Sequence, residues 1–146
     1  MAVRRMEQVH YRRYRPAVKA ARARARELSN EWGLPEVTDS VESAVSELVS
    51  NAVIHGRAGR GSRVRVTYRL YDGRLRVEVR DSATGIPRLP ATAPFDELSE
   101  GGRGLALVAA LSHRWGVVRR VIGKDVWFEM RLGSVPVDAP LTGDRP

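Results

Sequence analysis

This 146-residue chain contains no cysteine and almost no lysine. Without cysteine a protein has neither disulfides nor thiolate metal ligands, which suits a reducing cytosol. The longest uninterrupted apolar run, Leu105 to Leu111, is far too short for a membrane span. The basic N-terminus is not followed by the apolar segment that a signal peptide contains. These absences predict a cytoplasmic protein that does not cross a membrane.

The positive charge comes almost entirely from arginine. The formal net charge is +8, and Lys19 and Lys124 are the only lysines. Such a charge invites a nucleic-acid interpretation. However, coding bias in a GC-rich genome also produces arginine, and most aromatics alternate as in strands instead of forming a stacking platform. We therefore expect an acidic protein partner and no direct nucleic-acid contact.

The first third of the chain predicts an edge strand and two helices. Residues 4–15 mix arginines with apolar positions as edge strands do, and Pro16 suits the first position of an alanine- and arginine-rich helix. Gly33 and Pro35 end this helix. Its arginines form either a solvated face or a docking surface. A second helix begins near 35–38, with core positions at helical spacing: Val41, Val45, Leu48 and Ala52.

The remaining pattern predicts a sheet. Alternating apolar residues flank Asp72-Gly73, which is typical of a hairpin. A long loop over 82–104 follows, then a short apolar helix over 105–115 and strands at 117–121 and 126–132. This order predicts an α+β fold, a two-layer α/β sandwich whose mixed, mostly antiparallel sheet carries its helices on one face. We assign residues 1–133 to one domain and 134–146 to a flexible tail.

The first unusual motif places Glu47 and Asn51 four residues apart, so both side chains leave the second helix on the same side. The carboxamide of Asn51 offers a neutral oxygen that suits Mg²⁺, and the carboxylate of Glu47 can polarise a hydroxyl or water. When the two residues are taken alone, an exposed polar pair or a helix-end hydrogen bond is the simpler explanation.

The second motif is Asp81, which a strand delivers to its own end just before small residues and Gly85. A fixed carboxylate there can accept a hydrogen bond from an exocyclic amine such as that of adenine, and glycine lets a ligand approach the backbone closely. A turn-initiating aspartate is the simpler alternative.

The third motif is the glycine-rich stretch Gly101 to Gly104, immediately before an apolar helix. Exposed backbone N–H groups and the positive end of the helix dipole favour phosphate at such a position. Neither a Walker A loop nor a dinucleotide fingerprint fits the spacing, and a hinge before a core helix remains an alternative. Together, however, the three motifs supply contacts to the metal, base and phosphates of one Mg·ATP molecule.

The stretches "ELVSNAVIHG", "DSATGI" and "GGRGLALV" resemble the N box and the two glycine boxes of the GHKL ATP-binding fold. DNA gyrase, a heat-shock chaperone, sensor histidine kinases and the MutL repair protein share that fold. The chain resembles most closely the anti-sigma factor serine kinases of the RsbW/SpoIIAB type, in their compact actinobacterial form. The resemblance covers roughly residues 10–132.

The resemblance implies a role for each matching residue. It implies that Asn51 coordinates Mg²⁺ on the ATP phosphates and that Glu47 is the general base for a serine hydroxyl of a protein substrate. Asp81 would read the adenine amino group beside Gly85 and Ile86. Phosphate would be held by the second glycine box, which comprises Gly101, Gly102, Arg103, Gly104 and Leu105. The stretch 88–100 corresponds to the ATP lid. His55 matches a signature position, and a structural role suits it better than catalysis.

One departure concerns the first glycine box, where Ala83 stands at a position that is glycine in many relatives. Alanine adopts positive φ only at a cost, which puts nucleotide affinity in question. The resemblance implies a homodimeric kinase that sequesters a sigma factor and phosphorylates a STAS-type anti-anti-sigma protein. A non-catalytic ATP-binding module, whose nucleotide-ordered lid gates a protein interaction, is the alternative.

Overall fold

A computed structural model describes residues 2–55, 63–82, 102–120 and 123–133 of the chain. Strand β1 (Arg5–Arg12) is followed by helix α1 (Pro16–Glu31), a 3₁₀ turn (Pro35–Val37) and helix α2 (Thr38–Ser50), which continues into a π-helical turn (Asn51–His55). The hairpin strands are β2 (Arg63–Tyr71) and β3 (Arg74–Ser82). Helix α3 (Gly102–Leu111) and strands β4 (Arg114–Arg119) and β5 (Lys124–Arg131) complete the described elements.

The strands form one five-stranded sheet in the order β1-β2-β3-β5-β4, and every neighbouring pair is antiparallel. Gly73, with φ of +84°, supports the tight turn between β2 and β3 that the sequence predicts. Strand β1 lies at one edge of the sheet, as predicted, and pairs with β2. The α+β prediction is confirmed, and the described sheet is antiparallel throughout where a mixed, mostly antiparallel one was predicted. Among the described helices, none combines the length and hydropathy that a membrane span requires.

One hydrophobic core lies between the helices and one face of the sheet. Alternate residues of β2, β3 and β5 point into it, and Tyr68 and Phe128 are its largest fully buried side chains. Helix α2 lies centrally, with α1 and α3 packed against it. The predicted core stripe of α2 is confirmed because all four of its members are buried: Val41, Val45, Leu48 and Ala52.

The other face of the sheet, which we call the outer face, carries an excess of arginine. The register of the strands places on it Arg12, Arg63, Arg65, Arg69, Arg74, Arg76, Arg80, Arg114 and Arg131, with Glu78, Asp125 and Glu129 as its carboxylates. Glu129 is buried and accepts a 2.9 Å hydrogen bond from Arg76. Arg76 also lies over the ring of Trp127, 4.1 Å from its centre. Part of the face is therefore neutralised by its own ion pairs.

Arginines of the basic helix α1 form ion pairs with carboxylates of the same chain. Arg24 donates to Glu7 of β1 at 2.6 Å and bridges to Glu31. Both Arg22 and Arg26 donate to Glu42 of α2 at 2.8 Å. The hydrogen bond from Arg24 lowers the pKa of Glu7. These pairs tie α1 to its neighbours, which favours the solvated-face interpretation of its arginines over a docking surface.

The end of α3 differs from the prediction. The helix stops at Leu111, and the residues expected to continue it to Trp115 instead enter β4. The N–H of Ser112 still donates to Val108, but the N–H of His113 donates to the carbonyl of Glu129 in β5. The hydrogen bond to β5 therefore ends the helix before the helical sequence pattern ends.

Candidate functional site

The predicted metal and base residues lie at the C-terminal end of α2. Glu47 and Asn51 are both half-buried, and the backbone N–H of Asn51 donates to the carbonyls of Glu47 and Leu48. Asn51 is also the first residue of the π-helical turn, a feature that is frequent at functional sites. The structure thus keeps the two residues one helical turn apart, at a point where the regular helix is interrupted.

Asp81 is buried near the end of β3, as the sequence predicts. The register places it opposite Val64 of β2 and Lys124 of β5 on the core-facing side of the sheet. Its carboxylate Oδ1 accepts a hydrogen bond from the guanidinium of Arg13. A buried carboxylate at the end of a central strand is a fixed hydrogen-bond acceptor, as recognition of an exocyclic amine requires.

Arg13 is the site residue that the sequence interpretation missed. It lies between β1 and α1, and its guanidinium donates both to Asp81 and to the carbonyl oxygen of Ala52 in the π-helical turn. Arg13 therefore joins the segment that carries Asn51 to the strand that carries Asp81. Burial lowers its pKa from the ordinary arginine value. The sequence signal for it is alternation, since Val9, Tyr11 and Arg13 continue one side of β1.

Gly102 and Gly104 of the second glycine box lie within α3 and not before it, because the helix begins at Gly102. Gly102, Arg103 and Gly104 form its first turn, where backbone N–H groups have no partner within the helix. Leu105 is buried and belongs to the hydrophobic core. The predicted phosphate contacts thus fall on the first turn of a helix that packs against α2.

Several predicted residues lie outside the described residues. These are Ala83, Gly85, Ile86, Gly101, the stretch 88–100 and the tail 134–146. For His55 the backbone belongs to the π-helical turn, and its side chain is not described. What the structure does bring together is the end of α2, the end of β3 and Arg13.

The donor chemistry of this site fits Mg·ATP. Magnesium is normally held by one or two protein oxygen ligands together with substrate phosphates. The half-buried carboxamide of Asn51, with the carboxylate of Glu47 one turn away, supplies that kind of donor set. The buried carboxylate of Asp81 is a group that can accept a hydrogen bond from an amine of the base. The first turn of α3 adds N–H donors of the kind that bind phosphate.

Comparison with known proteins gives the class of the fold and site. The family model for the histidine kinase-like ATPase domain matches residues 12–130. The chain therefore belongs to the histidine kinase-like ATPase domain family. This family assignment agrees with the GHKL fold that the three sequence motifs predict.

More specific similarities point the same way. The chain is 33% identical to an anti-sigma F factor of Clostridium acetobutylicum over 78 residues, 50% of this chain and 54% of that protein. It thus spans about half the length of that relative. An uncharacterised protein of Streptomyces coelicolor is 37% identical over 102 residues, 70% of this chain and 94% of that one.

A solved structure confirms the fold. The crystal structure of the RsbU and RsbW domains of a Mycobacterium tuberculosis protein superposes with a TM-score of 0.67. It is 23% identical, and the match covers 88% of this chain and 32% of that chain. Together with the family model and the anti-sigma F relative, it confirms the resemblance to the RsbW/SpoIIAB type.

Proposed function

We propose that this chain is an ATP-binding anti-sigma factor with protein serine kinase activity. It would sequester a sigma factor as a homodimer and use Mg·ATP to phosphorylate a STAS-domain anti-anti-sigma protein. The observation that carries the proposal is proximity: the helix end that bears Glu47 and Asn51 lies so close to the buried Asp81 that one side chain, Arg13, contacts both segments. Family membership and the similarity to an anti-sigma F factor support it.

In the proposed reaction the serine Oγ of the partner attacks the γ-phosphorus of ATP. The new Oγ–P bond forms as the bond between that phosphorus and the bridging oxygen to the β-phosphate breaks, and ADP leaves. Glu47 accepts the hydroxyl proton. Magnesium, when bound, neutralises charge on the phosphates, and Asn51 would be its protein ligand.

Other groups of the proposed site would hold the nucleotide in position for this reaction. The first turn of α3, from Gly102 to Gly104, would supply N–H donors to phosphate. Asp81 would fix the base by accepting from the adenine amine. Phosphoryl transfer depends on position and charge more than on covalent catalysis. Hydrogen-bonding groups that are fixed in place therefore supply much of the rate enhancement.

The direct test is transfer of labelled phosphate from [γ-³²P]ATP to a panel of STAS-domain proteins, each paired with a version whose acceptor serine is alanine. We expect label on a serine of one intact partner and none on its alanine version. Binding of ATP without transfer to any partner, and with retained sigma-factor binding, would contradict the kinase part and favour the non-catalytic module.

A further inference from the structure

Two hydrogen bonds of the Arg13 side chain define where it lies. One terminal nitrogen donates to Oδ1 of Asp81, and the other donates to the carbonyl oxygen of Ala52, the residue after Asn51. The side chains of Arg13 and Asp81 are only 9% and 7% exposed. The guanidinium therefore fills the space between the end of α2 and the end of β3.

This is the space that the proposed function gives to the base of the nucleotide. We infer that Arg13 is a latch on Asp81: it occupies the adenine subsite and must leave Asp81 before adenine can bind. The inference rests on the proposed nucleotide site. It adds to that site a group of the chain itself, Arg13 in the connection between β1 and α1, that competes with adenine for Asp81.

Competition follows from the chemistry of the two donors. The guanidinium N–H groups and the exocyclic amine of adenine are the same kind of donor, and both are directed at one buried carboxylate. A planar guanidinium held at both ends by oxygen acceptors fills the approach to that carboxylate. Because Arg13 takes the Oδ1 acceptor and both side chains are nearly buried, adenine and Arg13 compete for Asp81.

The residues around Arg13 lie next to solvent, into which its side chain would move. Its neighbours Arg12, Tyr14 and Arg15 are exposed, so the corner between β1 and α1 lies at the surface. The turn itself is fixed by backbone hydrogen bonds from Tyr14 to Arg12 and from Ala17 to Tyr14. The latch therefore predicts that the side chain of Arg13 turns toward solvent at this corner while β1 and α1 are retained.

The latch has a defined thermodynamic effect. If nucleotide binds only when Arg13 has left Asp81, the apparent dissociation constant equals the intrinsic one divided by the fraction of unlatched molecules. Removing the arginine should then strengthen binding. A residue that merely positions Asp81 for adenine gives the opposite sign, because its removal would weaken binding.

The test measures binding of Mg·AMPPNP by calorimetry to the full chain, to Arg13→Met and to Arg12→Met. Arg12→Met is the matched control, since it removes an exposed arginine one position away on the outer face. We expect Arg13→Met to bind about tenfold more tightly or better, as loss of a competing charge-assisted hydrogen bond implies, and Arg12→Met to match the parent chain. Weaker binding by a folded Arg13→Met would overturn the latch.

A second measurement needs no substitution and covers the case in which Arg13→Met does not fold. Hydrogen exchange of the unaltered chain is followed with and without Mg·AMPPNP. The latch predicts faster exchange of the amides over 13–18 and slower exchange around Asp81 when nucleotide is bound. Slower exchange at both places would show that Arg13 stays on Asp81, which contradicts the latch while leaving the proposed nucleotide site intact. If neither the parent chain nor Arg13→Met binds AMPPNP at millimolar concentration, the proposed function itself fails, and the latch with it.

Discussion

Asn51 donates its backbone N–H to the carbonyl oxygen of Glu47, at the residue where α2 passes into the π-helical turn. This hydrogen bond fixes the proposed metal ligand one turn beyond the proposed base. It also means that the two side chains can be changed separately, because the bond between them belongs to the backbone.

Glu47→Gln should separate transfer from binding. The amide keeps the shape of the side chain but cannot accept the hydroxyl proton, so phosphorylation of a STAS partner should fall by about 10²- to 10⁴-fold. The Kd for Mg·ATP should stay within about threefold of the parent value, because a general base contributes little to ground-state binding. Glu36→Gln, an exposed carboxylate in the 3₁₀ turn, is the control. Normal transfer by Glu47→Gln would show that another group acts as the base.

Asn51→Ala should weaken binding only when magnesium is present. The substitution removes one oxygen ligand of the proposed metal and leaves Asp81 in place. We expect a loss of about tenfold or more in affinity for Mg·ATP, in the range seen when an oriented ligand is lost, and little change for ATP in EDTA. Calorimetry in the two buffers measures the difference. Equal losses in both buffers would assign Asn51 to the nucleotide and not to the metal.

The buried pair of Arg13 and Asp81 predicts non-additive stability. Asp81→Asn leaves a desolvated guanidinium without its carboxylate and should lower the free energy of unfolding by about 3 kcal/mol or more. The double variant with Arg13→Met removes both charges and should lose much less. Urea unfolding of the two single variants and the double variant completes the cycle. Losses that simply add would mean that the pair does not couple the two elements.

Gly116 lies opposite Trp127 in the pairing of β4 with β5 and allows the indole ring to pack directly against the backbone. A Cβ at this glycine would lie 2.8 Å from the ring, so Gly116→Ala must displace the tryptophan. We expect a loss of about 1–3 kcal/mol in urea unfolding and a shift in tryptophan emission. A smaller loss in a chain that also carries Trp127→Leu would confirm the steric cause, whereas an equal loss would point to the backbone.

The pair of Glu7 and Arg24 predicts an acid-sensitive attachment of α1 to β1. Its hydrogen bond lowers the pKa of Glu7 below the ordinary value of 4.5. A lowered folded-state pKa stabilises the fold above the unfolded value, and that contribution is lost as the pH falls through the folded value. Glu7→Gln should therefore be less stable than the parent chain at pH 7, by about 1 kcal/mol at most for a partly exposed pair, and this difference in stability should shrink below pH 4.5, as the pH falls through the lowered pKa of Glu7. Urea midpoints of the two chains, at pH 7 and below pH 4.5, measure this difference.

Local sequence patterns were sufficient to predict most of the fold. Pro16 and Gly33 bound α1 as expected, and Asp72-Gly73 turns the hairpin, because these residues act through their own backbone preferences. The start of β4 was missed, since His113 bonds to Glu129, a partner sixteen residues further along the chain. Neither propensity nor periodicity contains that information.

The site was predictable to the extent that single residues carry its chemistry. Asn51 and Asp81 stand at the ends of α2 and β3 because the helical and strand patterns end there. Arg13 was not found, because its role depends on two acceptors far away in the sequence, and many arginines surround it. The π-helical turn was also missed, since no residue pattern distinguishes it from the end of an ordinary helix.

The arginine excess of the outer face restricts the symmetry of any homodimer. Arg65 stands directly opposite Arg80, and Arg69 opposite Arg76, so like charges already face one another within a single sheet. A two-fold interface brings the same patch of both copies together and must complement itself. Two outer faces in contact would bring two arginine-rich surfaces together without carboxylates to neutralise the excess charge, so they would repel each other. The two-fold axis of such a dimer is therefore favoured at the β1 edge or on the helical side, where Glu7, Glu31 and Glu42 already balance arginines.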